Sequence, residues 1–176
     1  MSDPRDDLKR LAPWLSAFVA AADEYQVRRS VLAAMCLRES LGSWAGAYTR
    51  KGSHLGWGDH GRAFGLWQVD RRYHEAALRG LVPGHQLLTP LGQARYAAAI
   101  IAGARAFLAA WHPASPRLEQ AAVAAHNADL SRVDLQLESG SDPDAVTTGF
   151  DYGADVLRRA AALEARDPTT FPPSGG

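Results

Sequence analysis

The sequence predicts a mainly helical single domain with one irregular, glycine-rich segment inserted near its front. Three observations carry that expectation. Apolar residues recur at helical spacing through several alanine-rich stretches. Between Gly42 and Gly65, seven glycines fall within 24 residues, too many for a helix interior. The chain has 176 residues and no internal repeat, a length suited to one substantial core.

Taken in order, Trp14 to Tyr25 reads as an amphipathic helix, with Trp14, Phe18 and Ala22 on one face. A second helix, "VLAAMCLRESL", has Ser30 as its candidate N-cap and Gly42 as its stop. It is apolar around most of its circumference, which predicts a central, buried position. The glycine-rich segment reads as loops with one or two short strands. "TPLGQARYAAAIIAGARAFLAAW" then predicts a long buried helix, with Ile100, Ala104, Phe107, Leu108 and Trp111 on one face and Pro113 and Pro116 ending it. "RLEQAAVAAHNA" and "DYGADVLRRAAALEA" read as two further helices. Residues 1–165 are expected to form the domain, and 166–176, rich in proline and glycine, a disordered tail.

Composition excludes several function classes. Nineteen basic and nineteen acidic side chains cancel, leaving no basic field for nucleic acid. The single cysteine, Cys36, rules out an intrachain disulfide and a cysteine-based zinc site. "HEAAL" lacks the second histidine of the zinc-protease pattern, and no phosphate-cradling loop or nucleophile elbow is present. No metal and no cofactor are expected. The first ten residues mix both charge signs, unlike the basic start of a signal peptide, and no stretch approaches the ~20 apolar residues of a membrane span. Neither an export signal nor a membrane anchor is expected.

Glu39 is the first residue with chemical potential. It falls in the last turn of the second helix among Met35, Cys36 and Leu37. Burial and the negative helix end would both raise its pKa and suit it to proton donation. Position alone leaves it open between that role and a surface glutamate at a helix end. Asp59, within "GDHG", can be a simple turn former. If "AFGLWQVD" is extended, Phe64, Leu66, Gln68 and Asp70 share a face, so Gln68 and Asp70 point the same way. One buried glutamate and two loop carboxylates are the equipment for glycoside hydrolysis. Nothing in their spacing forces them together. Trp44, Trp57 and Trp67 are candidates for stacking on sugars, with at least one expected in the core, while His54, His60, His85 and His112 are assigned to the surface.

"RES" at Arg38–Ser40, "GWGDHGRAFGLWQVD" running into "RRYH", "AAHNA" at Ala124–Ala128 and "DY" before the last helix occur in one order. In this the chain resembles goose-type lysozyme, and more broadly the soluble lytic transglycosylase-like group. The likeness covers roughly Ser30 to Ala165. It implies a mainly α, lysozyme-like fold: a helical domain with a central buried helix and a small β-sheet and loop region lining a substrate cleft. It implies cleavage of peptidoglycan glycan strands between N-acetylmuramic acid and N-acetylglucosamine. By motif, Glu39 matches the catalytic acid, and Asp59 and Asp70 match aspartates that hold and activate water. Gln68, His74, His126, Asn127 and Tyr152 match positions near bound sugars. His126 stands where the family has tyrosine, exchanging a phenol for a titratable imidazole. The loop between Glu39 and Asp59 also looks longer than the family norm.

An inverting hydrolase needs a second carboxylate to activate water, whereas a lytic transglycosylase needs only the acid and forms 1,6-anhydro ends. Both Asp59 and Asp70 are present, which favours hydrolysis. A non-catalytic glycan-binding module predicts a missing acid, and an anonymous helical interaction domain has no use for the glycine–tryptophan segment. The resemblance thus implies a monomeric muramidase with no nucleic-acid or membrane partner, and it leaves room for a cognate inhibitor or immunity protein. It would act on the wall, in the periplasm or outside the cell, after holin release or delivery by a secretion machine.

Overall fold

The computed structural model describes residues 4–42, 57–58, 63–70 and 89–173, with backbone alone at 4–5, 57–58, 63–64 and 69–70. It is mainly helical. Helix α1 (Pro4–Leu11) begins with proline in its first turn, carries Asp6 and Asp7 near its N-terminus and ends with Lys9 and Arg10, charges that complement the helix dipole. A 3-10 turn, Ala12–Trp14, leads into α2 (Leu15–Tyr25). Helix α3 (Arg29–Ser40) follows and is the centre of the fold, with Val31 to Leu37 all buried.

The start of α3 differs from the expectation. Arg28 is the extended residue before the helix, and Ser30 lies inside it, buried, with Oγ donating to Glu164 Oε1 at 2.5 Å. A neighbouring helix offers Ser30 a carboxylate, which replaces the backbone amide it would have capped. The far end agrees better: Leu41 and Gly42 both adopt positive φ, 55° and 69°, and return the chain.

Among the described residues of the irregular segment, three two-residue strands pair antiparallel in the order β1 (Trp57–Gly58), β2 (Ala63–Phe64), β3 (Val69–Asp70). The register sets Phe64 opposite Val69 and Ala63 opposite Asp70. Residues 64–70 are therefore not one extended run. Gly65 to Gln68 form a tight turn, with positive φ at Gly65 (75°) and Gln68 (48°) and Gln68 N donating to Gly65 O at 3.3 Å. A Cβ at Gly65 would lie 1.9 Å from the buried Gln93 Nε2, so any other residue there strains the backbone and must also displace the Gln93 amide.

Trp67, in that turn, is the core tryptophan. It is fully buried, its Nε1 donates to Leu32 O at 3.1 Å, and Phe18 meets its ring edge-on at 5.5 Å. One side chain thus pins the irregular segment to α2 and α3. Truncating it to alanine would cost about 3–5 kcal/mol.

Helix α4 (Pro90–Trp111) is capped by Thr89, whose side chain accepts from Gly92 N at 3.0 Å. It packs chiefly on α2 and buries Ala94, Ala97, Ala98, Ile101 and Ala104 in the main core, while Leu108 packs with Ala121, Ala124 and Val133. Phe107 and Trp111, expected on the buried face, are 43% and 71% exposed. The buried stripe runs through the alanines, whose small side chains let helices approach closely. His112, expected on the surface, pairs with Asp134 at 2.7 Å.

Helices α5 (Leu118–Ala124), α6 (Leu130–Glu138) and α7 (Tyr152–Arg166) complete the domain. The tail does not detach at 166. Asp167 accepts from Thr170 N, Phe171 N bonds Asp167 O at 2.9 Å, and Phe171 is buried to 1% exposure. One aromatic ring offsets the entropy of ordering this proline-rich piece.

Candidate active site

Helices α3 and α7 run antiparallel and are pinned to each other at both ends. At one end, Arg28 Nη2 and Ser30 Oγ reach Glu164 Oε1 at 2.6 and 2.5 Å. At the other, Arg38 Nη1 donates to Asp155 Oδ2 at 2.6 Å and Nη2 to Asp151 Oδ1 at 2.7 Å. The spans match: Ser30 to Arg38 covers about 12 Å of helix and Asp155 to Glu164 about 13.5 Å, at about 1.5 Å per residue. This double clamp sets the register of the two helices, and register decides what Glu39 meets.

It meets Tyr152. The buried Tyr152 hydroxyl donates to Glu39 Oε1 at 2.6 Å, and Arg38 Cζ lies 5.1 Å from the centre of the Tyr152 ring. Glu39 is half-buried. Loss of water around it pushes its pKa up to about 7, against the opposing pull of the Tyr152 hydrogen bond and the Arg38 charge. Arg38 does not bond the neighbouring Glu39; its guanidinium is committed to the two aspartates of α7. Burial works against the Asp155 anion, but hydrogen bonds from Arg159 and Arg38 outweigh it and hold the carboxyl below the usual range. Arg158 also contacts Asp155.

Asp144 positions the start of α7. This buried residue sits in a 3-10 turn, Pro143–Val146, and accepts from Gly153 N at 2.6 Å, Ala154 N at 2.8 Å and Gln120 Nε2 at 2.8 Å. An acceptor under the first turn of a helix satisfies amides that have no partner within it. Gly153 is glycine by necessity, since a Cβ there would lie 2.6 Å from Gln120 O. Tyr152 is therefore held from below by Asp144 and from the side by Arg38.

The other residues singled out from the sequence divide into two groups. His126 and Asn127, just after α5, lie beside Tyr152: the His126 ring stacks on it at 6.2 Å and 29°, and His126 Nε2 lies 3.3 Å from Trp67 O. Asn127 Oδ1 accepts from Thr148 N at 2.7 Å, holding the turn that leads into Tyr152. Gln68 is half-buried and turned back on itself, its Nε2 donating to Gly65 O at 2.7 Å. The structure thus joins Glu39, Tyr152, His126 and Asn127, with the hairpin turn reached through Trp67. Asp70 is placed by its backbone on β3, while Asp59 and His74 lie outside the described residues.

Sequence reasoning missed Arg38, Asp144, Asp151 and Asp155. The Arg38 partners lie 113 and 117 residues away, so no local signal could find them. Asp144 was accessible in part, because "DPD" preceding a helix is a turn and cap signature. Chemically, a carboxyl that holds its proton near neutrality and is oriented by a phenol can donate that proton to a polar substrate.

The family model described as lysozyme g matches residues 4–166. Lysozyme g of Cyprinus carpio is 31% identical over 159 residues, covering 88% of this chain and 74% of the carp protein. A match of that extent shows that the chain belongs to the lysozyme g family, glycoside hydrolases that act on peptidoglycan.

Proposed function

We propose that the protein is an inverting muramidase that cleaves the β-1,4 bond between N-acetylmuramic acid and N-acetylglucosamine. The observation that carries this reading is the Tyr152–Glu39 hydrogen bond on a carboxyl whose pKa is about 7. With Oε1 engaged by the phenol, the transferable proton sits on Oε2. Glu39 gives it to the glycosidic oxygen as the bond from that oxygen to the anomeric carbon breaks. Water adds to the anomeric carbon from the opposite face, and its proton passes to Asp70, assisted by Asp59. The hairpin supports this assignment by carrying Asp70 on β3, tethered to α3 through Trp67. In this reading the strands form one wall of a cleft, with Gln68, His126, Asn127 and Tyr152 along it, and His74, outside the described residues, is a further sugar contact.

The enzyme would act as a monomer at the cell wall, and a cognate inhibitor would have to block the Glu39 end of α3. Among the described residues no helix is long and apolar enough to cross a membrane.

Mass spectrometry of fragments released from purified peptidoglycan tests the mechanism, with Glu39→Gln as control. Fragments ending in reducing muramic acid are expected. Anhydro-muramic ends, lighter by one water, would overturn hydrolysis and make the sugar's own hydroxyl the nucleophile.

A further inference from the structure

The turn that delivers α7 to the site carries an aromatic ring with no evident structural task. Phe150 is 75% exposed, so its ring adds little to the core. Its backbone is left-handed, with φ at 59°, directly after Gly149 at 82°. That region suits glycine and disfavours any residue with a Cβ. An exposed apolar ring on unfavourable backbone weakens the fold twice, and such departures gather where a function holds them.

The turn is also firmly held. Phe150 N donates to Thr147 O at 3.2 Å and Thr148 N to Asn127 Oδ1 at 2.7 Å, while Asp151 is bound by Arg38 at 2.7 Å. Phe150 therefore stands in the turn that Asn127 holds and that leads into Tyr152, on a rigid support. Its Cα lies within about 7 Å of that of Tyr152, whose hydroxyl touches Glu39.

We propose that Phe150 is a sugar-stacking residue of the cleft, its ring packing on the apolar face of a pyranose in the glycan strand. A pyranose carries C–H bonds on its faces and hydroxyls at its rim. The electron-rich face of an aromatic ring attracts the former, and the largely exposed Asp151 carboxylate that follows Phe150 in the chain suits the latter. The held turn means that little ordering is lost when sugar binds. This assignment rests on the proposed glycan-cleaving role of the Glu39 site and adds a subsite to it.

The test uses the full chain and soluble glycan strands, comparing Phe150→Gly and Phe150→Trp, with Glu39→Gln alongside. Phe150→Gly is expected to keep its Tm or raise it by about 2–5 °C, because glycine relieves the backbone. It should raise KM about three- to tenfold with kcat within about twofold, and Phe150→Trp should restore KM. An unchanged KM in Phe150→Gly, a fall confined to kcat, or a lowered Tm would each overturn the stacking role. Glu39→Gln separates the two levels. If it is inactive while Phe150→Gly matches the parent, only the stacking role falls; if it stays active, the reading of the whole site falls with it.

Discussion

The two ends of the α3–α7 pair use the same interaction for different ends. At the Glu164 end, an arginine and a serine converge on one carboxylate, well away from Glu39 along the helix. At the Asp155 end, an arginine again binds carboxylates, but its neighbour in sequence is Glu39 and its guanidinium faces the ring that bonds Glu39. The first clamp holds helices in register. The second does so while setting the charge and orientation around an acid. What distinguishes a structural ion pair from a functional one here is the company it keeps, not its geometry.

Breaking each end in turn sharpens that distinction. The largest effect is expected from Glu39→Gln, which removes the transferable proton and should lower the rate of peptidoglycan cleavage by about 10²–10⁴-fold. The same variant should gain stability above neutrality. The folded protein holds the Glu39 proton up to about pH 7 against an ordinary value of 4.5, so the wild type loses stability as pH rises through that window. At pH 8, denaturant unfolding should show the variant more stable by roughly 1–3 kcal/mol, with no gain at pH 4. A variant equally stable at both pH values would mean that Glu39 ionises as freely as a surface residue.

Arg38→Met is expected to act on both properties. It strips a hydrogen-bonded cation from Asp155, destabilising the fold by about 1–3 kcal/mol. It also removes a charge that lowers the Glu39 pKa, so the alkaline limb of the activity profile should move to higher pH. In the parent, that limb should fall near pH 7, about tenfold per unit beyond it, as the acid loses its proton. A limb that stays in place in Arg38→Met would make Arg38 a structural residue only.

The smallest functional effect is expected at the other end. Glu164→Gln keeps the shape but loses the charge that Arg28 and Ser30 share, costing about 1–2 kcal/mol in stability. The rate per folded molecule and its pH profile should match the parent. A shifted profile would show that the two ends are coupled through register, and the contrast between them would dissolve.

Some of this was legible before any coordinates. The helical stretches declared themselves by spacing, because burial on one side of a 3.6-residue repeat leaves a periodic trace. Helices α1 and α6 went unread, although Pro4 with Asp6 and Asp7 marks one start and Asp129, which accepts from Ser131 N at 2.9 Å, marks the other. The alternation in "AFGLWQVD" misled, since a four-residue turn with Trp67 driven into the core looks, letter by letter, like a strand. Phe107 and Trp111 misled for the opposite reason: large aromatics suggest burial, but the helix turns its alanines inward.

By itself, then, the sequence determined that the chain is helical, where its helical habit is suspended, and that Glu39 closes the central helix in an apolar setting. Those are local matters, written in propensity and period. Only the tertiary structure decided that Tyr152 meets Glu39, that Arg38 turns to Asp151 and Asp155, and that Asp144 supports the first turn of α7. Each of the first two contacts joins residues more than a hundred positions apart. Such pairings follow from the register of packed helices, a property of how whole surfaces fit together that no short stretch of chain records.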